Sequence, residues 1–213
     1  MTPLALHACC GPCSLEPVRM LQEEDAQFSI LYSNSNIHPQ DEYRRRLDTL
    51  REHVTQPASI ELIEDVYDSA EWERKAGVFG TDREQRCRAC YRLRFERLAA
   101  IAREQGFDAI GSTLTSSPYQ YTAAILEELE RAAQGQGLES AGADYSACYA
   151  QATRRSRELG MYRQNYCGCR FSIAEAEAQR RERAMQHARQ KQLRQLALMQ
   201  AASEGVVNQQ SLL

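Results

Sequence analysis

The sequence predicts an α/β fold: a parallel sheet with helices on both faces, followed by a helical extension at the C-terminus. Two observations carry this. Along the first two thirds of the chain, short apolar runs alternate with segments of helical periodicity, the order that crossover-linked parallel strands require. The polar stretches "CCGPC", "SNSNIHP" and "STLTSSP" each directly follow an apolar run, and in such sheets sites gather beyond the carboxyl ends of the strands. At 213 residues the chain is long enough for one domain with a core of its own. That domain is expected over residues 1–172, with 173–213 as the extension.

Each element has its local reason. "PLALHA" reads as a short buried strand, and a helix follows from about Pro12, because proline is tolerated early in a first turn. "FSILYSN" is a second strand. Tyr43, Leu47, Leu50 and Val54 then recur at helical spacing. "ASIELIE" is a third strand, "AEWERKAG" a short helix, and the stretch to about Arg86 a polar loop. A long helix runs from about Cys87 to Gln105 with Tyr91, Phe95, Leu98 and Ala102 on one side, and Gly106 stops it. "FDAIGSTL" is a fourth strand, and the next helix is expected to open at Ser117 and Pro118. Residues 135–142 read as a loop. From Ala174 the chain is rich in Ala, Gln and Arg, helical in character but with a thin apolar stripe.

Composition excludes several classes. Hydrophobic content of 43% and charged content of 26% rule out wholesale disorder. A net charge of -3, from 26 basic and 29 acidic residues, gives no global attraction for nucleic acid, so any such binding has to come from local patches. No run approaches the length of a membrane span, and no targeting segment is visible. A cytoplasmic location without a membrane partner is the expectation. In that reducing compartment, clustered cysteines point to metal or catalysis and away from disulfides.

Seven of the eight cysteines fall into three groups: Cys9, Cys10 and Cys13; Cys87 and Cys90; Cys167 and Cys169. Cys148 stands alone and is expected to be an ordinary small buried residue. Cys87 and Cys90, three apart, share a helix face, and a helix N-terminus there would favour the ligating thiolate. Gly168 lets the chain turn so that Cys167 and Cys169 aim the same way. Cys9 and Cys10 are strand neighbours and point to opposite sides. The chain must bend there for both to serve, and Gly11 is the residue expected to permit the bend. A structural zinc takes four ligands and would leave three thiolates unused. A cubane iron–sulfur cluster also takes four, so four plus three suggests a redox cluster beside a single reactive metal. Structural zinc and simple buried thiols stay open as plainer readings. His7 and His38 read first as hydrogen-bonded structural residues.

Arginine is locally dense. The Cys87 helix carries Arg83, Arg86, Arg88, Arg92, Arg94 and Arg97, and the tail carries Arg180, Arg181, Arg183, Arg189 and Arg194. Such clusters suit phosphate contact, with a solvated helix face as the alternative. Arg86, Arg88, Arg92, Arg94, Arg180 and Arg181 are the candidates for RNA contact. "STLTSSPYQ" offers hydroxyls and backbone amides but lacks the glycine spacing of a nucleotide loop.

The stretches "LHACCGPCS", "NSNIHPQDEYRRRL", "RCRACYRLRFERLA", "FDAIGSTLTSSPYQ" and "GMYRQNYCGCRFS", in that order, resemble the epoxyqueuosine reductases of the QueH type over roughly residues 4–172. The resemblance implies a Rossmann-like sheet of the adenine-nucleotide hydrolase kind. It also implies the last step of queuosine synthesis: an epoxide in the wobble nucleoside of tRNA loses its oxygen, with electrons from an unidentified donor. It implies a [4Fe-4S] cluster on Cys9, Cys10, Cys87 and Cys90, and a mononuclear iron on Cys13, Cys167 and Cys169. Tyr119, Tyr162, Arg163 and Gln164 are then candidates for holding the modified nucleoside or giving a proton. Asn34, Asn36, His38, Tyr43, Arg46, Thr113 and Ser117 are candidates for substrate binding. Ser35 stands where the family usually has proline, and Cys148 has no family counterpart. Two other functions stay open on the residues alone: a zinc-stabilised tRNA-binding module without redox activity, and an ATP-dependent tRNA sulfur-transfer enzyme.

Overall fold

The computed structural model describes residues 3–210, with side chains placed over residues 3–196. Five strands form one parallel sheet: β1 (Leu4–His7), β2 (Phe28–Tyr32), β3 (Leu62–Glu64), β4 (Ala109–Ser112) and β5 (Glu139–Ser140). Their order is β3-β2-β1-β4-β5. β1 runs beside both β2 and β4, pairing Leu6 with Ile30 on one side and Gly111 on the other. All four residues of β1 and all four of β4 are buried, as strands covered on both faces must be.

The helices are α1 (Gly11–Glu23), α2 (Gln40–Leu50), α3 (Ser69–Lys75), α4 (Arg83–Glu104), α5 (Thr122–Gln136), α6 (Tyr149–Glu158) and α7 (Arg170–Gln210). One sheet face packs Leu15 and Val18 of α1 and Tyr43, Leu47 and Leu50 of α2 against Leu6 and Ile30. The other packs Tyr91, Phe95 and Leu98 of α4 and Ile125 and Leu129 of α5 against Ala5, Leu31 and Ile110. Burying a leucine- or phenylalanine-sized side chain stabilises by about 1.5–3 kcal/mol, so these two clusters fix which face each helix covers. The parallel sheet with helices on both faces stands as the sequence predicts. By internal contacts the chain divides into two units, Met1–Phe171 and Ser172–Leu213. Among the described residues no helix is long and apolar enough to cross a membrane.

Several boundaries differ. Residues 135–142 read as a loop but hold β5, two polar residues that pair only with Ala109 and Ile110 and so give no apolar signal. α4 starts at Arg83, capped by the Asp82 carboxylate accepting from the Gln85 N–H, one turn earlier than expected. α5 starts at Thr122 rather than at Ser117 and Pro118. α6 buries only Ala152 and Ser156, too thin a stripe for periodicity to find.

A thiol centre at the switch point of the sheet

The chain winds from β1 out to β3, then returns to β4 on the other side of β1. This makes the carboxyl ends of β1 and β4 the switch point, where such sheets hold their ligands. The segments leaving those ends carry the candidate residues. After His7 the chain bends at Cys9, and Cys10 sits in extended backbone at φ -168° and ψ 156° as the cap of α1. Gly11 is therefore not the bend. It is the first residue of α1 and is closely packed: a Cβ there would stand 2.6 Å from Met161 Cε, the mobile end of that side chain, and 3.2 Å from Thr49.

The sulfurs of Cys9, Cys10 and Cys13 lie within 4.8 Å of one another, with Cys9 and Cys10 3.9 Å apart. Among the described residues this is a compact thiol triad. Hydrogen bonds from Cys10 and Cys13 hold the Cys9 thiol well below its ordinary pKa, against its burial. Burial pushes Cys10 up to about 12. Of the three, Cys9 is the thiol that its neighbours most favour for ionisation. Cys87 and Cys90 lie in the second turn of α4, so a helix N-terminus does not activate them. Burial instead pushes Cys87 up to about 12 and Cys90 to about 11, with the charges of Cys167 and Cys169 adding to both. All eight cysteines are free. Cys148 is half-buried with its sulfur 4.0 Å from Met20 Sδ, and belongs to none of the three groups.

Two glutamines reach the sulfurs. Gln164 Nε2 donates to Cys10 Sγ at 2.8 Å, and Gln120 Nε2 donates to Cys167 Sγ at 3.3 Å. Gln120 carries no signal in the sequence beyond closing the stretch "STLTSSPYQ". Tyr91 donates to Gln120 Oε1 at 2.7 Å and fixes which way that amide points.

The loop that carries Cys167 and Cys169 is pinned. Arg46, 1% exposed, donates to Cys167 O at 2.8 Å, to Tyr166 O at 3.2 Å and to Glu42 Oε1 at 2.7 Å. Tyr162 donates to Glu42 Oε2 at 2.7 Å while Arg45 covers its ring at 3.9 Å. Gly168 adopts φ +147°, and a Cβ there would meet Asn36 Nδ2 at 2.9 Å, so glycine is needed for both its backbone and its closeness. Arg46 and Tyr162 thus both bear on the loop, one through its carbonyls and the other through Glu42. Tyr43 is a core residue, 3% exposed, with the Tyr32 ring meeting it edge-on, the Tyr67 ring tilted against it, and its hydroxyl donating to Glu64. His38 turns its side chain outward; its N–H donates to Gly168 O and its carbonyl accepts from Tyr166.

Arg94 belongs to the interior. It is 3% exposed and donates to Asn34 Oδ1 at 2.5 Å, with His7 Nε2 at 3.2 Å. Asn34 in turn donates to Ala8 O. Burial holds the His7 imidazole down to about 3, so it is neutral; it lies 3.2 Å from Ser112 Oγ and 3.1 Å from Ser33 O. Arg86 is 1% exposed, bonds Gly80 O and lies over the Phe171 ring. Neither arginine can meet a phosphate on the surface. Arg88 and Arg92 are half-exposed but paired with Glu127 and Glu128 of α5. Arg180 and Arg181 lie on exposed turns of α7, in the second unit.

Three buried acceptor atoms near these elements have no protein partner: Asn36 Oδ1, Thr113 Oγ1 and Gln164 Oε1. Buried polar atoms are rarely left so. Ser117 Oγ accepts from the Tyr119 N–H at 3.4 Å and shapes the local turn. Tyr119 is 45% exposed and Arg163 half-buried, and each adjoins in sequence a glutamine that reaches a sulfur, which sets both at the rim of the centre.

The family model described as epoxyqueuosine reductase QueH matches residues 4–175. The chain is 34% identical over 172 residues to the epoxyqueuosine reductase QueH of Dehalococcoides mccartyi, covering 79% of this chain and 91% of that one. It is 33% identical to that of Acinetobacter baylyi, covering 80% of each, and 30% identical to that of Thermotoga maritima, covering 82% and 92%. Among solved structures, a predicted subunit of tRNA methyltransferase from Methanocaldococcus jannaschii superposes with a TM-score of 0.51 at 11% identity, over 74% of this chain and 75% of that one. That likeness speaks for the fold alone.

Proposed function

This chain belongs to the epoxyqueuosine reductase QueH family, and on that premise we propose that its seven clustered thiols hold the iron used to reduce epoxyqueuosine. The reaction removes the epoxide oxygen of epoxyqueuosine in tRNA and gives queuosine, an oxidoreductase step of queuosine biosynthesis. One observation supports the chemistry: the free sulfurs of Cys9, Cys10 and Cys13 lie within 4.8 Å of one another where the sheet changes direction, and Cys87 and Cys90 in turn feel the charges of Cys167 and Cys169. The donor set fits iron, since thiolates are the ligands that iron–sulfur clusters take, and the neutral His7 is engaged elsewhere.

Cys9, Cys10, Cys87 and Cys90 would hold a [4Fe-4S] cluster and Cys13, Cys167 and Cys169 a single iron, the division that the family resemblance carries. When bound, such a pair supplies electrons one at a time and a Lewis acid for the epoxide oxygen. The net change is two electrons and two protons in, one carbon–carbon double bond formed, and water out; the electrons come from an external donor. The chain's own residues have other tasks. Gln164 and Gln120 give N–H donors to the sulfurs of Cys10 and Cys167. Arg94 supplies a buried positive charge that offsets clustered thiolates. Asn36 Oδ1, Thr113 Oγ1 and Gln164 Oε1 are acceptors that suit the hydroxyl and amine donors of the modified nucleoside. Arg46 and Glu42 keep the Cys167 loop in place.

A second division has its own support, because the triad of Cys9, Cys10 and Cys13 is tighter than any other group of sulfurs described. It would give the single iron to the triad and the cluster to Cys87, Cys90, Cys167 and Cys169. Mössbauer spectra of two variants separate the two. Cys10→Ala loses the cluster signal in the first division and the single-iron signal in the second; Cys167→Ala does the reverse.

The function itself is tested with strictly anaerobic protein, a strong reductant and tRNA carrying epoxyqueuosine. Queuosine should appear in the digested tRNA, from protein holding about five irons and four sulfides. Colourless protein with stoichiometric zinc and no conversion would overturn the reading.

A further inference from the structure

Segment 116–121 links the end of β4 to α5, and it has an inner and an outer side. On the inner side Ser116 Oγ donates to Cys13 O at 2.9 Å and Gln120 Nε2 donates to Cys167 Sγ at 3.3 Å. On the outer side stand Tyr119 and Tyr121, 45% and 38% exposed. The two tyrosines thus flank the one residue of the segment that touches a thiol. Tyr119 meets the Tyr149 ring of α6 edge to face, centroids 6.0 Å apart. Arg83 lies 5.6 Å from the Tyr121 ring and donates to Tyr119 O at 3.2 Å. Arg163, half-buried, places its charge near Tyr149. Three rings and two guanidinium groups therefore meet at the rim of the thiol centre.

From this juxtaposition we propose that Tyr119, Tyr121 and Tyr149 form a stacking platform for unpaired RNA bases on either side of the base that enters the thiol centre. The inference rests on the reading of this chain as an enzyme acting on tRNA, and deepens it by naming how the RNA is held. Two observations favour an unpaired loop over a duplex. A nucleobase offers a π face to an aromatic ring only when it is unstacked from its neighbours, and single-stranded RNA is recognised in that way. Along the middle of α4, Arg86 and Arg94 are buried and Arg88, Arg92 and Arg97 are paired with acids, so that stretch offers no open row of guanidinium groups to a duplex backbone. The rim carries the exposed rings of Tyr119 and Tyr121, with Arg83 beside them. A base that has left its stack to reach buried sulfur leaves neighbours whose faces such rings can cover.

The test is equilibrium binding of an unmodified anticodon stem-loop RNA by fluorescence anisotropy, with a fully paired RNA of equal length as competitor. Tyr119→Ala and Tyr121→Ala should each weaken stem-loop binding by roughly 5- to 150-fold, matching about 1–3 kcal/mol per stacked base at 1.4 kcal/mol per tenfold. Tyr119→Trp and Tyr121→Trp should restore it, and the paired RNA should compete poorly against wild type. Circular dichroism and thiol counts equal to wild type in the alanine variants establish that the effect is local. Unchanged affinity in both alanine variants, or equal loss toward the paired RNA, overturns the platform. If wild type converts tRNA while the alanine variants bind it normally, the platform falls and the function stands. If wild type fails to convert tRNA, the function falls first.

Discussion

Two segments deliver residues to the sulfurs, and they are built in opposite ways. The loop 162–169 is pinned from behind by a buried ion pair, a tyrosine on that pair, and backbone bonds to the loop that follows β2. Segment 116–121 has its inner residues tied to Cys13 and Cys167 and its outer rings open to solvent. The difference separates two tasks. A loop that supplies two thiols must not move, whereas a segment that meets RNA needs a fixed inner side and an accessible outer one. The same division of labour follows from cost: a buried charge is tolerated only where its bonds are complete, and Arg46 has three.

The largest effect should therefore come from breaking the pin. Arg46→Ala leaves the Glu42 carboxylate, nearly buried, without its cation, and frees the carbonyls of Tyr166 and Cys167. Losing one partner of a buried pair costs about 3–5 kcal/mol, which denaturant melting reads directly. Cys167 and Cys169 should also become faster toward a thiol reagent, while Cys148 keeps its rate. A loss under about 1 kcal/mol, with unchanged thiol rates, would remove the contrast between the two segments.

Next comes the clamp under the loop after β2. Asp65 accepts two bonds of 2.6 Å from Arg97 and one of 2.6 Å from Ser33. Although burial acts to raise it, these bonds hold its carboxyl below the ordinary value. A carboxyl depressed on folding stabilises at pH values above its unfolded pKa, and that contribution is lost as pH falls through the folded one. Asp65→Asn should cost about 1.5–3 kcal/mol at neutral pH. The gap between wild type and variant should stay level down to the ordinary carboxylate range, near pH 4, and close below it. A gap that instead widens in acid would show that the charge is not what holds Ser33.

Some of this was legible in the sequence, and the rest has definable reasons. The period of Tyr91, Phe95, Leu98 and Ala102 gave the buried side of α4 correctly, because apolar side chains must share one face. The same helix misled on Arg86 and Arg94. Arginine is mostly a surface residue, so local density alone suggests phosphate contact, whereas the helix face decides where each guanidinium goes. Arg94 follows Cys90 by four residues and Cys87 by seven, so the helical period placed it on the ligand side from the start. Gln120 lacked any such signal: a turn residue reaching Cys167 across 47 positions is decided by tertiary packing. The helix start expected at Ser117 failed for the same reason, since α5 has to wait until Gln120 has turned inward. Arg46 does carry a local signal, for a glutamate four residues before an arginine is a pairing pattern, and here that pair pins the loop. How Cys167 and Cys169 meet Cys87 and Cys90 depends on the crossing of segments that no local pattern encodes.

A smaller effect tests the inner side of segment 116–121. Gln120→Ala removes the acceptor of the Tyr91 hydroxyl, on a residue 2% exposed, together with a donor to Cys167. An unpaired buried hydroxyl costs about 1–3 kcal/mol, and this one retains the Tyr121 N–H as a neighbour at 3.4 Å, so the low end is expected. Urea melting should place Gln120→Ala between Asp65→Asn and any outer-rim substitution. If it rivals Arg46→Ala, the segment is pinned as firmly as the other loop.

The smallest effect is also the sharpest comparison, because it asks the same question of one hydroxyl on each segment. Tyr166 donates to His38 O at 2.6 Å and so ties the pinned loop to its neighbour at a solvent-facing edge. Tyr166→Phe should lower stability by about 0.5–1 kcal/mol, the net worth of one hydrogen bond already open to water competition. Tyr121 gives its ring to Arg83 and faces solvent; Tyr121→Phe keeps that ring and should leave the melting midpoint where it was. Equal losses in the two variants would mean that the outer tyrosine is a structural tie like the inner ones. A loss in Tyr166→Phe alone means that one segment's phenols were placed to hold the fold and the other's rings were placed outside it, where an unpaired base can cover them.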